Sequence, residues 1–268
     1  MKRFLLAGVL GLTVLIAQKP PQPKSQKEVE AINAMFTAQD PDARIKAADF
    51  LMTKFADTEF KPLAMFLTAE AYERKGDFEK MTVWCEKTLE VDPKSYSCML
   101  MLAGGIAKRA RENDLDLNEK LDRSDKYAKS ALEALKDAPK PNPQITDDQW
   151  ASVKKDYVSQ AHEAYGAAAM LRKKYDVAIS EYKQAVDGAG TPDPATMVRL
   201  GQAYNAAGKP DDAIAILDKV MADDKVHPQI RQVAQAERVR AIQAKGVGAK
   251  PAAPTPTSGA PAAAEPKK

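Results

Sequence analysis

AEAYERKGDFEKMTVWCEKTLEVDP, residues 69–93, sets two amphipathic segments either side of the pair Gly76-Asp77. Gly76 suits the left-handed residue that ends a first helix, and Asp77 suits the cap that starts a second. GAAAMLRKKYDVAISEYKQAVDGAG (166–190) and GQAYNAAGKPDDAIAILDKVMADD (201–224) repeat that order. In each, a helix with a small residue and often a Tyr near its middle meets a short turn and then a second amphipathic helix. Gly208 takes the place of Gly76, and Pro210 fits a first helical turn, where no N–H is missed. Upstream, VEAINAMF (29–36) and DPDARIKAADFLMTKFADTEF (40–60) make another hairpin, with Asp40 capping and Pro41 starting its second helix. A further copy follows Pro93, with Met99, Leu102, Ala103 and Ile106, then Ser124 and Ala128 after an insertion.

The small residues have a physical reason. Two helices approach to about 8 Å only where small side chains occupy the crossing. Ala69, Ala103, Gly166, Ala178, Gly201 and Ala213 stand at those places, with Tyr72, Trp84 and Leu217 filling the flanking grooves. No hairpin buries its second face alone, so the units must stack. HPQIRQVAQAERVRAIQAK (227–245), polar on one side, reads as the helix that covers the last unit.

This pattern resembles the tetratricopeptide repeat, W-x2-L-G-x2-Y, then A-x3-F, then P, over about 34 residues. Met197, Leu200, Gly201, Tyr204, Ala213 and Leu217 fill it best; Met65, Thr68, Ala69, Tyr72, Met81, Cys85 and Pro93 fill it in the opening stretch. Tyr165, Gly166, Ala178 and Tyr182 carry a further copy, with Gly190 where the Pro would stand. Phe50 to Phe60 is also similar to exported, outer-membrane-assembly proteins of that family, with Ala56-Asp57-Thr58 where those have Pro-Asp-Ser. The resemblance implies an all-α fold: hairpins stacked in a right-handed superhelix, closed by a C-terminal capping helix. It implies a concave face, built from the first helices, that carries Phe66, Glu70, Arg74, Met101, Lys108, Glu163, Arg199, Gln202 and Asn205. Their mixed charges suit a polar peptide or a protein surface. Relatives that hold a C-terminal carboxylate with Lys and Asn lend this chain nothing but Arg199.

The domain reading follows from composition. MKRFLLAGVLGLTVLIA (1–17), two cations and a short uncharged apolar run, reads as a signal peptide, with an uncleaved anchor as the alternative. The Pro-rich stretch 18–27 reads as a polar linker. The repeat domain spans 28–245, with hairpins near 28–57, 62–92, 95–136, 147–188 and 194–224 and a cap at 228–245. Three prolines interrupt it at 136–145, after which a capping box of Thr146 and Gln149 opens a helix reaching about Leu171. The Pro/Ala-rich residues 246–268 have almost nothing to bury and read as a disordered tail.

Charge narrows the function. Residues 28–244 hold 31 bases against 36 acids, a net −5, and the excess bases lie at the two ends. A nucleic-acid footprint needs a clustered basic face, so that class is set aside. Of two histidines, His162 fills a slot that the repeat gives to a bulky aromatic, and His227 precedes Pro228 at an exposed helix start. Neither joins a nucleophile or a metal-ligand spacing. Cys85 and Cys98 read as buried thiols. Asp114, Asp116 and Asn118 have the first spacings of a calcium loop, but Glu119 stands where its turn needs Gly. The stretch reads instead as an insertion whose carboxylates cap the next helix over packed Leu115, Leu117 and Leu121. The expectation is therefore a non-enzymatic scaffold of the bacterial periplasm or envelope, with a protein partner and no cofactor. A hydrolase or metal-dependent enzyme on the same scaffold, or a purely structural spacer, are the alternatives.

Overall fold

Three turns of one construction organise the chain. After Arg74, Gly76 N–H donates to Glu73 O (2.8 Å) and Asp77 N–H to Tyr72 O (2.9 Å). After Ala206, Gly208 N–H donates to Asn205 O (3.1 Å) and Lys209 N–H to Tyr204 O (2.9 Å). These paired bonds satisfy the last carbonyls of a helix and need a residue with positive φ, which Gly76 (73°) and Gly208 (68°) supply without strain. The third turn makes the same bonds, Lys173 N–H to Met170 O and Lys174 N–H to Ala169 O, both 2.9 Å. Here a lysine holds φ at 58°.

The computed structural model describes residues 21–141 and 144–248. The signal-peptide reading and almost all of the tail reading lie outside them. Eleven helices and no strand occur among the described residues, in two compact units that part between Pro93 and Lys94.

The first unit holds α1 (Gln26–Thr37), α2 (Pro41–Lys54), α3 (Lys61–Arg74) and α4 (Phe78–Val91). Ser25, Asp40 and Asp77 cap α1, α2 and α4 through their side chains. Met35, Ala48, Leu51 and Ala64 are fully buried between α1, α2 and α3. The end of the stretch read as a linker is tied down: Gln22 N–H donates to Glu59 and Lys24 Nζ to Asp57. The buried Glu28 accepts from Lys24 N–H and Thr58 Oγ1, each at 2.6 Å.

The second unit holds α5 (Tyr96–Arg109), α6 (Leu117–Lys136), α7 (Asp147–Leu171), α8 (Tyr175–Gly188), α9 (Pro194–Ala206), α10 (Pro210–Ala222) and α11 (Pro228–Gly248). The capping box of Thr146 and Gln149 opens α7. The extra turns of α7 are used by Trp150, which packs near Tyr96 and Tyr157 and donates Nε1–H to Ala138 O (3.1 Å), so the Pro-rich connection is anchored rather than loose. Within each hairpin the small residues sit at the crossing. A Cβ on Gly201 would lie 2.8 Å from Leu217, and one on Gly166 would lie 2.7 Å from the Tyr182 ring. In the α5–α6 hairpin the hydroxyl of Ser124 donates to Ala103 O at 2.9 Å, joining the two helices.

One expectation fails in the insertion. Leu115 is fully exposed, while Leu121 is buried. Asp116 makes no capping bond to α6, and Asp114 accepts instead from Arg111 N–H and Lys120 Nζ. With the carboxylates turned to Arg111 and Lys120, the chain runs outward at Leu115 and no apolar surface lies beneath it.

Lys173 yields a test. An L-residue in the left-handed region costs roughly 1–2 kcal/mol that Gly avoids, so Lys173→Gly should stabilise the second unit by about 1 kcal/mol despite the larger entropy of the unfolded chain. Urea melts measure this; a midpoint that falls would show that the turn is not strained.

Candidate partner-binding surface

The nine residues expected on the binding face divide between the units. In the first, α3 carries Phe66, Glu70 and Arg74. Phe66 is half-buried against the α1–α3 core. Glu70 accepts from Arg44 Nη1 of α2 (3.2 Å), and the exposed Arg74 reaches Gln39 O of the preceding turn (3.4 Å). These two charges therefore hold α3 onto the hairpin before it. In the second unit, Met101 on α5 is half-buried and Lys108 is exposed.

The remaining four residues form one continuous arrangement. Asp193 caps α9 by accepting from Ala195 and Thr196 N–H, and Pro194 fills the first turn. That start aims Thr196 and Arg199 at α7, where Glu163 accepts from Arg199 Nη1 (2.6 Å) and Thr196 Oγ1 (3.2 Å). One turn further along, Gln202 and Asn205 face α11. Asn205 Nδ2 donates to Glu237 O (3.0 Å) and Oε2 (3.1 Å), and Gln202 Nε2 to Oε1 (3.4 Å). Glu237 is only 6% exposed, so these amides, with Arg240, are what make a buried carboxylate tolerable there.

Between α9 and α11 the surface opens into a groove of about 280 Å³. Arg199 and Gln202, both expected from the repeat pattern, form its polar wall. Its floor is Val198, Ile230 and Val233, which the sequence reading did not single out. The signal was present: Ile230 and Val233 are three apart on a helix that the sequence marks only as a cover. Val233 remains 43% exposed. Just below the ~300–1,000 Å³ range of small-molecule sites, the groove suits side chains of a bound segment better than a cofactor.

The other ionisable groups serve packing. His162 Nδ1 lies 2.8 Å from Glu181 Oε2, joining α7 to α8 in the aromatic slot. Arg172, which follows the end of α7, holds Asp122 and Asp125 of α6 (2.6 and 2.9 Å), and burial, opposed by Arg172, raises the carboxyl of Asp125 above its usual range. Burial also pushes the Tyr182 phenol far up. Cys85 and Cys98 are buried thiols. Among the described residues, no three His, Cys, Asp or Glu converge as a metal site, and no helix is long and apolar enough to cross a membrane.

The geometry is that of a helical-repeat scaffold. Residues 169–237 match the tetratricopeptide repeat family model, so that part of the chain carries tetratricopeptide repeats. The chain is similar in fold to a thermophilic TPR protein from Thermus thermophilus, with a TM-score of 0.55 and 16% identity over 79% of this chain and 99% of that one. It is similar also to PilW, a widely conserved type IV pilus biogenesis factor, with a TM-score of 0.54 and 15% identity over 83% of this chain and 92% of that one. No curated protein matches the sequence. The all-helical repeat architecture expected from the residues is thereby borne out.

Because Glu237 satisfies two amides of α9, Glu237→Ala should leave their buried donors short of acceptors and cost roughly 1–3 kcal/mol. Hydrogen exchange should show the amides of α11 losing protection before those of α9. Unchanged protection would mean that apolar packing alone holds the last helix.

Proposed function

We propose that the chain is a non-catalytic protein–protein interaction scaffold that holds an extended segment of a partner in the groove between α9 and α11. One observation carries the reading: an exposed apolar floor, Val233 above all, lies directly beside the polar wall of Arg199 and Gln202. An apolar side chain of the partner enters the floor. Gln229, and the side-chain carbonyl of Gln202 whose Nε2 is held by Glu237, hydrogen-bond its backbone, as peptide recognition in a preformed groove requires. Glu163 beside Arg199 lowers the net charge of the wall, so the segment is polar rather than strongly acidic. The reading includes export to the bacterial cell envelope, which rests on the composition of residues 1–17 alone.

The test uses two exposed valines of one helix. Val233 lines the groove and Val239 does not, though they are 43% and 40% exposed. In crosslinking pull-downs from a native envelope extract, Val233→Asp should reduce partner capture about tenfold or more, and Val239→Asp should leave it unchanged. Equal capture by wild type and Val233→Asp would remove the groove from the function. For export, intact-mass analysis from the native host should show a chain beginning near Gln18; a chain retaining Met1 would contradict it.

A further inference from the structure

A second groove, of about 810 Å³, opens between α1 and α2. It lies along part of one face of the first hairpin. Lys27, Ala31 and Ala34 form the α1 side, in step with the helix, and Lys46, Ala47, Phe50 and Lys54 form the α2 side. These stripes are about 10–12 Å long, or two helical turns. The floor is small and apolar, yet Phe50 stands 51% exposed over it.

The second unit shows what such a face is built to receive. There the corresponding groove between α9 and α10, floored by Leu200 and Ile216, is walled by Lys183, Val186 and Asp187 of α8, the helix before it. Among the described residues, only α1, α2 and Phe55 line the α1–α2 groove, with no third helix in the position of α8. Small residues at a crossing accept a helix at close range, as Gly201 and Gly166 do elsewhere in the chain. Ala31, Ala34 and Ala47 offer that same seat.

Charge identifies the occupant. Lys27, Lys46 and Lys54 rim the groove against one acid, Glu30, and none of the three lysines forms an ion pair among the described residues. The groove between α9 and α10 is balanced by comparison, with Lys183 and Lys219 set against Asp187 and Asp212. We propose that the groove between α1 and α2 docks an amphipathic helix of a partner protein, with small apolar residues along one stripe and Asp or Glu flanking it. The docked helix takes the position that α8 holds beside the α9–α10 groove, and its acids meet the three lysines. This surface is separate from the α9–α11 groove and can succeed or fail without it.

The probe is a fluorescein-labelled peptide of EAALEAL heptads, roughly 21 residues long so that it is helical in water, with a KAALKAL peptide as its counterpart. Fluorescence anisotropy with the full chain should show saturable binding of the acidic peptide only. Binding should weaken as salt rises from about 50 to 300 mM, and by about tenfold or more in Lys46→Glu/Lys54→Glu and in Phe50→Asp, while Val233→Asp leaves it unchanged. Circular dichroism of the variants should match wild type, since the altered side chains are exposed. Four results overturn the proposal. They are no saturable binding of the acidic peptide; equal binding of both peptides; binding that emerges only after residues 1–20 are deleted, which makes that segment the occupant; and a dimer in sedimentation equilibrium that Phe50→Asp abolishes, which makes a second copy the occupant.

Discussion

How near two helices may come depends on what stands between them, and in this chain almost nothing does. At Gly201 a single added carbon would sit inside Leu217, and at Gly166 inside the Tyr182 ring. The approach lets Leu217 and Tyr182 reach full burial on the far side of the crossing, so a few missing atoms on one helix become a packed core on the next. Once the hairpins are this thin, each presents a broad face that water should not touch. Everything else follows from covering those faces: the stacking within each unit, the aromatic anchorage of the Pro-rich connection, and a last helix polar enough to end the series.

What could be read from the residues is what repeats. Turn glycines, capping acids and crossing alanines are local signals, and they mark the hairpins because each acts on its own few neighbours. Lys173 shows the limit. It makes the same paired hydrogen bonds as Gly76 and Gly208, but a lysine gives no sign in the sequence that it will adopt a positive φ. The neighbouring elements impose the turn there. Leu115 shows another limit, since an apolar residue inside a charged insertion has no period to say which way it faces.

The candidate surface was legible in part for a related reason. A repeat pattern names slots, and the slots of Arg199 and Gln202 place them on the wall of the α9–α11 groove. It does not say what the final helix does to the slots it reaches. Asn205 and Gln202 are turned toward Glu237, so residues that would be open in the middle of an array become attachments at its end. The same helix returns something to the surface, because Ile230 and Val233 supply the apolar floor that α9 alone lacks. Covering a face and building a groove are here one act of packing.

The ion pairs that join successive helices recur at 33, 33 and 34 residues, in Asp42–Lys75, Asp176–Lys209 and Asp211–Lys245. Each acid lies in the first turn of a second helix, and each base lies one unit later in the chain. They are exposed and add little to folding, but their spacing is that of the repeat itself. A segment of this length copied within the gene arrives carrying an acid for the unit after it and a base for the unit before it. Joints of that kind let an array lengthen or shorten by whole units during descent without any residue at the seam having to change.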